Sequence, residues 1–165
     1  MQAINVLRSG IDELVRTFQR NPFDFLYEAD LQGMLFAILV KEYGDTTIQM
    51  DGGFWASPNA YGSSSSVRTV PVKCEYPGSQ KFDVGVIDPC RIEHFEAREV
   101  WEERGWKNDR FWEQRVCAAV EIKYCQLGDN MRRRCAEVQA DLEKLREYWD
   151  GRAGREFLGV ALVFV

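Results

Sequence analysis

The chain has 165 residues, of which 45% are hydrophobic, and this suits a single domain, 1–165, with a substantial core. No apolar run reaches the length of a membrane span and the N-terminus has no signal-peptide pattern, so we expect no membrane partner. The five cysteines show no disulfide or zinc pattern, and we therefore expect a reducing cytoplasm. The formal net charge of −5 argues against binding nucleic acid by bulk charge, so contacts with phosphates would need local patches, a metal or a partner chain.

Cysteine, histidine and glycine usage excludes several kinds of site. The five cysteines are odd in number and show no Cys-x-x-Cys spacing, which argues against a disulfide framework and a structural zinc. A single histidine, His94, disfavours multi-histidine metal centres and histidine-based nucleophilic catalysis. No glycine-rich phosphate loop follows a strand, so a nucleotide-binding fold has no support.

Two helices are predicted at the N-terminal end. The first, over 3–20, has an apolar stripe at spacings of three and four, made of Ile4, Leu7, Ile11, Leu14 and Phe18. The second begins with Asn21 as N-cap and Pro22 at its first position, and runs to Tyr43 with Gly44 as C-cap. Its expected core face is Leu31, Met34, Leu35, Ile38 and Leu39. Glu28 lies beside that face, in a row four apart with Asp24 and Gln32, and is expected at the edge of the buried stripe.

The middle of the chain reads as strands interrupted by a loop and an insertion. Thr46–Met50 is a short strand and 51–66 is a loop rich in glycine and serine. The segments 67–76 and 81–87 read as strands of a hairpin. The insertion, 92–112, is rich in Trp and Arg, which could stack on bases, cover the core or form a homodimer interface; packing or dimerisation is favoured.

In the C-terminal third, the sequence pattern predicts a strand, a helix and a second strand. Val116–Tyr124 is a strand, 130–150 is a helix capped by Gly151, and 157–165 is an apolar strand expected to be buried on both faces. The helix carries one stripe, formed by Met131, Cys135, Val138, Leu142, Leu145 and Trp149. A strand-helix-strand crossover implies a parallel pair in a mixed sheet, and hence an α/β layer fold.

Charged residues interrupt two of the apolar strands. Glu121 and Lys123 point to the same face of their strand, because side chains on a strand alternate. Asp83 lies in a half-buried strand near Gly85, a residue that permits close approach. Asp83 and Glu121 on neighbouring strands would make a hard oxygen site suited to Mg²⁺ or Mn²⁺. The alternative is an exposed edge strand whose charges form ordinary ion pairs.

The order of these pieces resembles the PD-(D/E)XK nuclease superfamily, which has the restriction-endonuclease-like fold. The resemblance rests on Glu28 in a helix, Asp83 in a strand and Glu121-x-Lys123 in a later strand, and it spans about 21–165. It implies an αβββαβ core, a mixed β-sheet flanked by helices, with an added N-terminal helix and an insertion between the second and third core strands. Two departures are that no proline precedes Asp83 and that 38 positions separate it from Glu121.

The resemblance also implies a function, the Mg²⁺-dependent hydrolysis of phosphodiester bonds, with DNA as the expected partner and Mn²⁺ as a substitute metal. It implies that Asp83, Glu121 and the backbone carbonyl of Ile122 bind metal. Lys123 would hold the attacking water or stabilise the transition state, and Glu28 would ligate a second metal.

Four polar residues after the Glu-x-Lys strand are candidates for substrate binding: Gln126, Arg132, Arg133 and Arg134. For Gln126 an ordinary loop residue is the favoured interpretation, and for the arginines pairing with acidic neighbours such as Glu137 is equally plausible. Two other interpretations of the whole chain remain open. One is a non-catalytic or weakly catalytic member of the same fold that binds nucleic acid or protein, and the other is an unrelated α/β interaction protein.

Overall fold

The computed structural model describes residues 2–43, 46–50, 65–69, 71–77, 80–87, 116–153 and 157–165. Its helices are α1 (Gln2–Arg20), α2 (Glu28–Tyr43) and α3 (Met131–Tyr148), with a short 3₁₀ turn at Pro22–Asp24. Its strands are β1 (Thr46–Met50), β2 (Ser65–Thr69), β3 (Val72–Tyr76), β4 (Phe82–Ile87), β5 (Val116–Tyr124) and β6 (Leu158–Phe164). The described part of the chain is therefore an α/β structure, as predicted.

Four strands form the central mixed sheet, in the order β3-β4-β5-β6. The first two neighbouring pairs are antiparallel, and β5 pairs with β6 in parallel. This confirms the hairpin predicted for β3 and β4 and the parallel pair predicted across the final helix. A right-handed crossover through a helix is the usual way to connect such a pair, and α3 fills that position in the chain.

The segment predicted as one strand, 67–76, is divided between two sheets. Its first part belongs to β2, which pairs only with β1, and its second part is β3 of the central sheet. Pro71 lies at the division and has no backbone N–H to donate to a ladder, although its carbonyl accepts from Ile87 N at 2.8 Å. The predicted loop is also shorter than expected at its end, because Ser65 and Ser66 belong to β2. Residues 51–64 lie outside the described part.

The prediction for α1 is confirmed, but α2 begins later than predicted. Asn21 makes no side-chain capping hydrogen bond, and Pro22 starts only a single 3₁₀ turn. A carboxylate sets the later start: Asp30 Oδ2 accepts from the backbone N–H groups of Leu26 and Tyr27 at 2.8 and 2.9 Å. Helix α2 thus opens on Glu28 itself. Met34, predicted in its core face, is exposed, whereas the other four predicted residues are buried.

Two clusters of apolar side chains cover the two faces of the sheet. One joins α1 and α2 to the sheet and includes Leu7, Leu14, Leu31, Leu35, Val84, Val86, Val120 and Ile122. The other joins α3 to the sheet and contains Tyr76, Phe82, Ile87, Val116, Ala119, Leu145 and Tyr148. Strict alternation along β4 would place Phe82 on the same face as Val84 and Val86, but Phe82 packs in the other cluster. Lys81, just before Phe82, has a φ of 43° and Glu75 in the opposite strand has a φ of 52°, so both strands are irregular there.

Helix α3 begins as predicted but presents a different face to the sheet. Asn130 caps it by accepting from the N–H groups of Arg132 and Arg133. Leu145 and Tyr148 are buried, whereas Met131, Leu142 and Trp149 of the predicted stripe are exposed. The predicted Gly151 cap is also wrong, because the helix passes into a wider π-type turn, Trp149–Ala153, that contains this glycine.

One face of β6 packs on the core and the face that carries Val163 is partly exposed, which corrects the prediction that the strand is buried on both faces. Val163 is 47% exposed, and Phe164 is the one residue of this strand that is fully buried. The predicted cap Gly44 and the insertion 92–112 lie outside the described residues. None of the helices in the described ranges is both long and apolar enough to cross a membrane.

We predict that Tyr148→Phe destabilises the fold by about 1–3 kcal/mol, the cost of leaving a buried donor unpaired. Val116 N–H at the start of β5 donates to Tyr148 Oη at 3.0 Å in a buried position. Tyr27→Phe is the matched control, because Tyr27 is largely exposed. Chemical denaturation of both variants measures the difference, and equal stability of the two would contradict this role for Tyr148.

Candidate active site at the open edge of strand β5

The candidate site lies where β4 and β5 stop pairing. Their described ladder ends at the pair Val84 and Val120, so the next backbone groups on that edge of β5 have no strand beside them. Ile122 N–H donates to Asp83 Oδ2 at 2.6 Å, and Tyr124 N–H donates to Glu28 Oε2 at 3.0 Å. Two carboxylates therefore replace the missing strand. The two N–H groups that they accept from are two residues apart on β5, which corresponds to about 6.6 Å along the strand.

Helix α2 positions both ends of this arrangement. Glu28 is its first residue, so the carboxylate reaches Tyr124 from the helix start. Gln32, one turn later, donates from Nε2 to the backbone carbonyl of Asp83 at 2.7 Å. Residues four apart lie on one side of a helix, and α2 therefore holds β4 and β5 at the point where they separate.

Glu121 is the one charged residue that is buried among the described residues, with 3% of its surface exposed. Its Oε1 forms an ion pair with Lys144 Nζ of α3. Burial raises the pKa of Glu121 from its ordinary value of 4.5 to about 7, against the influence of Lys144, and the charges of Asp83 and Asp141 add to the increase. A buried carboxylate with a strongly raised pKa is typical of functional sites, although structural ion-pair networks also shift pKa values.

Lys123 lies on the same face of β5 as Glu121, as predicted, and pairs with a second residue of α3. Its Nζ is 3.1 Å from Asp141 Oδ2 and 3.4 Å from the carbonyl oxygen of Ile122, and its side chain is 18% exposed. Burial alone would lower the pKa of Lys123, but Asp141, Glu28 and Asp83 outweigh burial and raise it. Lys123 is therefore a permanent cation surrounded by the carboxylates of the site.

Asp83 is half-buried, and burial raises its pKa even though the Ile122 N–H and Lys123 favour the ionised form. Asp83 lies close enough to Glu121 for its charge to raise the pKa of Glu121. In a strand the N–H and C=O of one residue point the same way, so the Ile122 carbonyl lies on the edge where its N–H meets Asp83. Two carboxylates and one carbonyl are thus found in the same part of β4 and β5.

This donor set fits a hard divalent cation in part. Carboxylate and carbonyl oxygens suit Mg²⁺, which commonly binds one or two protein carboxylates and keeps the remaining positions for water and phosphate. In the described ranges, however, no three His, Cys, Asp or Glu side chains are grouped as a metal cage. The residues that fit are Asp83, Glu121 and the Ile122 carbonyl, whereas Glu28 is engaged with Tyr124.

The four residues proposed for substrate binding have different surroundings. Gln126 Nε2 donates to the carbonyl of Leu26 at 2.7 Å, so it ties the end of β5 to the segment before α2. Arg133 pairs with Glu137 at 2.8 Å, and Arg134 pairs with Asp129 and with Glu137, each at 2.9 Å. These are the acidic pairings considered as an alternative. Arg132 is exposed and makes no side-chain ion pair with another described residue.

Three residues that hold the site together were not predicted from the sequence: Gln32, Asp141 and Lys144. Asp141 and Lys144 are three apart on α3, and Glu121 and Lys123 are two apart on β5, so each pair lies on one face of its element. The spacing of Asp141 and Lys144 was visible, but many exposed helix pairs share it. Their position next to Leu145 and Tyr148, the buried residues of α3, is what turns them inward.

Three distant segments predicted to form one site do meet at one end of β5. Comparisons of the chain with protein-family models, with curated proteins and with solved structures gave no match. Membership of the PD-(D/E)XK superfamily therefore stays a prediction.

We predict that Glu121→Gln changes how stability depends on pH in the presence of a chelator. The pKa of Glu121 is raised in the folded state, so the folded protein binds a proton more tightly than the unfolded chain does. The contribution of this group to stability is therefore largest below about pH 4.5 and decreases by roughly 3 kcal/mol as the pH rises to about 7. Glu121→Gln should lack this fall relative to wild type, and parallel stability profiles from pH 5 to 8 would contradict it.

Proposed function

We propose that this chain is a metal-dependent nuclease with a restriction-endonuclease-like core, which hydrolyses phosphodiester bonds of DNA. One observation carries the proposal: Asp83, Glu121 and Lys123 are held together at the open edge of β5, with the Glu121 carboxylate buried. Two carboxylates and a lysine, desolvated together beside an unpaired strand edge, are difficult to explain as surface ion pairs alone. The αβββαβ order of the family belongs to this proposal as well.

Asp83 and Glu121 would hold Mg²⁺, with Mn²⁺ as substitute, and the Ile122 carbonyl would add a further oxygen. When bound, the cation supplies an acidified water and neutralises charge on the scissile phosphate. Lys123 would position that water, or face the charge that develops on the phosphate oxygens. Its permanent charge suits this role, because the surrounding carboxylates keep it protonated.

Glu28 has a supporting role in this proposal. Its carboxylate is hydrogen-bonded to Tyr124 N–H and acts on Lys123 through its charge. It would therefore fix the end of β5 and stabilise the Lys123 ammonium rather than bind the first metal. The predicted role as ligand of a second metal would require the carboxylate to leave Tyr124 or to use its other oxygen.

Contacts with the DNA backbone would come from a small area of positive charge. The chain is acidic overall, so among the described residues near β5 and the start of α3 this charge would come from a bound cation, Lys123 and the exposed Arg132. Arg133 and Arg134 are already paired with carboxylates. We therefore expect binding that depends strongly on the metal and only weakly on bulk charge.

One observation favours a second candidate, a weakly catalytic or non-catalytic binding module of the same fold. Both charged residues of the Glu121-x-Lys123 pair are engaged by α3, through Lys144 and Asp141. Such a neutralised site could be a structural charge cluster. The two candidates differ in whether a divalent metal switches on cleavage.

We predict cleavage of DNA with Mg²⁺ or Mn²⁺ and none with chelator, on supercoiled, linear and single-stranded substrates. Asp83→Ala, Glu121→Ala and Lys123→Ala should each slow cleavage by a factor of about 100 or more, because each removes a transition-state interaction. Glu28→Gln should slow it less than Asp83→Asn does, because both amides keep an oxygen acceptor for the backbone N–H but only Asp83 is proposed to hold the metal.

The controls are two exposed residues, Glu147→Ala for the carboxylates and Lys41→Ala for the lysine. They should cleave at the wild-type rate. Full activity in Glu121→Ala would assign the cleavage to a contaminant or to another site, and inactivity of the wild type with metal would favour the binding module.

A further inference from the structure

Helix α3 places two charges against the Glu-x-Lys pair of β5 in a crossed arrangement. Asp141 pairs with Lys123, and Lys144, one turn later, pairs with Glu121. The helix thus provides one cation and one anion for the anion and cation of the strand. Since Glu121 is the buried carboxylate, its pairing with Lys144 is the contact that neutralises the most desolvated charge of the described residues.

The Lys144 ammonium has two further partners that do not belong to the metal donor set. Its Nζ donates to the Lys81 carbonyl at 3.2 Å and lies 5.4 Å from the centre of the Phe82 ring. The side chain is 30% exposed, so its end also reaches water. Lys144 can therefore give up Glu121 and still keep a hydrogen bond, a cation–π contact and hydration.

We propose that Lys144 is a built-in cation that neutralises Glu121 until a divalent metal takes its place. This rests on the nuclease function proposed above. While the Lys144 ammonium is paired with one oxygen of Glu121, a metal bound to the same carboxylate would lie only a few ångströms from this positive charge. Water screens the repulsion between the two cations weakly, because Glu121 is buried. Lys144 therefore lowers the affinity of the site for metal, and binding moves its ammonium toward the Lys81 carbonyl and the Phe82 ring.

The test is a calorimetric titration of Mn²⁺ into the protein without DNA. Lys144→Met removes the charge and keeps the length of the side chain, and it should bind Mn²⁺ at least about tenfold more tightly than wild type. Lys144→Arg keeps the charge and should stay within about threefold of wild type. Arg146→Met, which removes an exposed charge from the same helix, is the control and should bind like wild type.

A second readout separates competition from a merely structural role. In a background of Glu121→Gln, the carboxylate for which the two cations compete is absent, so Lys144→Met should raise Mn²⁺ affinity much less than it does with Glu121 in place; what remains is the longer-range effect of Lys144 on Asp83. If Lys144→Met proves too unstable to titrate, Lys144→Gln gives the same comparison with a polar side chain.

The outcomes distinguish this inference from the proposed function. Mn²⁺ binding by wild type that Lys144→Met leaves unchanged or weakens would overturn the competition and leave the nuclease proposal intact. Absence of Mn²⁺ binding in both wild type and Lys144→Met would overturn both. An increase of equal size in Arg146→Met would show a general charge effect and would also overturn the role of Lys144.

Discussion

The unpaired edge of β5 is the constraint on which the site depends. Beyond Val120 this strand has lost β4 as a partner, and a buried backbone N–H without an acceptor would cost about 1–3 kcal/mol. The chain provides acceptors from two distant segments, with Asp83 on Ile122 and Glu28 on Tyr124. The hydrogen bonds that end the ladder are thus the ones that gather the carboxylates. A site built in this way is rigid, because its side chains are fixed by the backbone of the central sheet rather than by flexible loops.

The same arrangement has a cost, which α3 reduces. Glu121 is buried, its pKa is raised to about 7, and Asp83 lies near enough to repel it. Lys144 and Asp141 offset these charges, and the apolar contacts of Leu145 and Tyr148 hold the helix in place. Removing one partner of such a network leaves a buried charge alone, which is more damaging than replacing the whole network. Conflict of this kind is common where residues serve function at the expense of stability.

Local pattern was sufficient for much of the fold and for part of the site. The two-residue alternation of a strand correctly predicted that Glu121 and Lys123 lie on one face of β5. The helical spacing of apolar residues correctly predicted α1. The strand-helix-strand order gave the parallel pair. The failures have tertiary causes. The start of α2 depends on the Asp30 side chain and not on the Asn21-Pro22 pair, and the inward face of α3 is set by pairing with β5 rather than by its longest apolar stripe. Asp83 accepts from a backbone N–H because β4 separates from β5 at this point. No short segment of the sequence encodes where the two strands separate.

The central claim is that Asp83 and Glu121 form a metal site, and that without metal the fold tolerates the repulsion between these two carboxylates. It is tested most directly by thermal melting of wild type and Asp83→Asn, each in chelator and in millimolar Mn²⁺. Asparagine removes a charge and keeps an acceptor for Ile122, so in chelator the variant should melt at or above the wild-type temperature. Metal should raise the wild-type midpoint, since a free concentration of about 100 times Kd stabilises a folded protein by about 2.7 kcal/mol, and it should affect the variant little. Marked destabilisation of Asp83→Asn in chelator, with the same metal shift in both proteins, would show that Asp83 is structural and contradict the metal site.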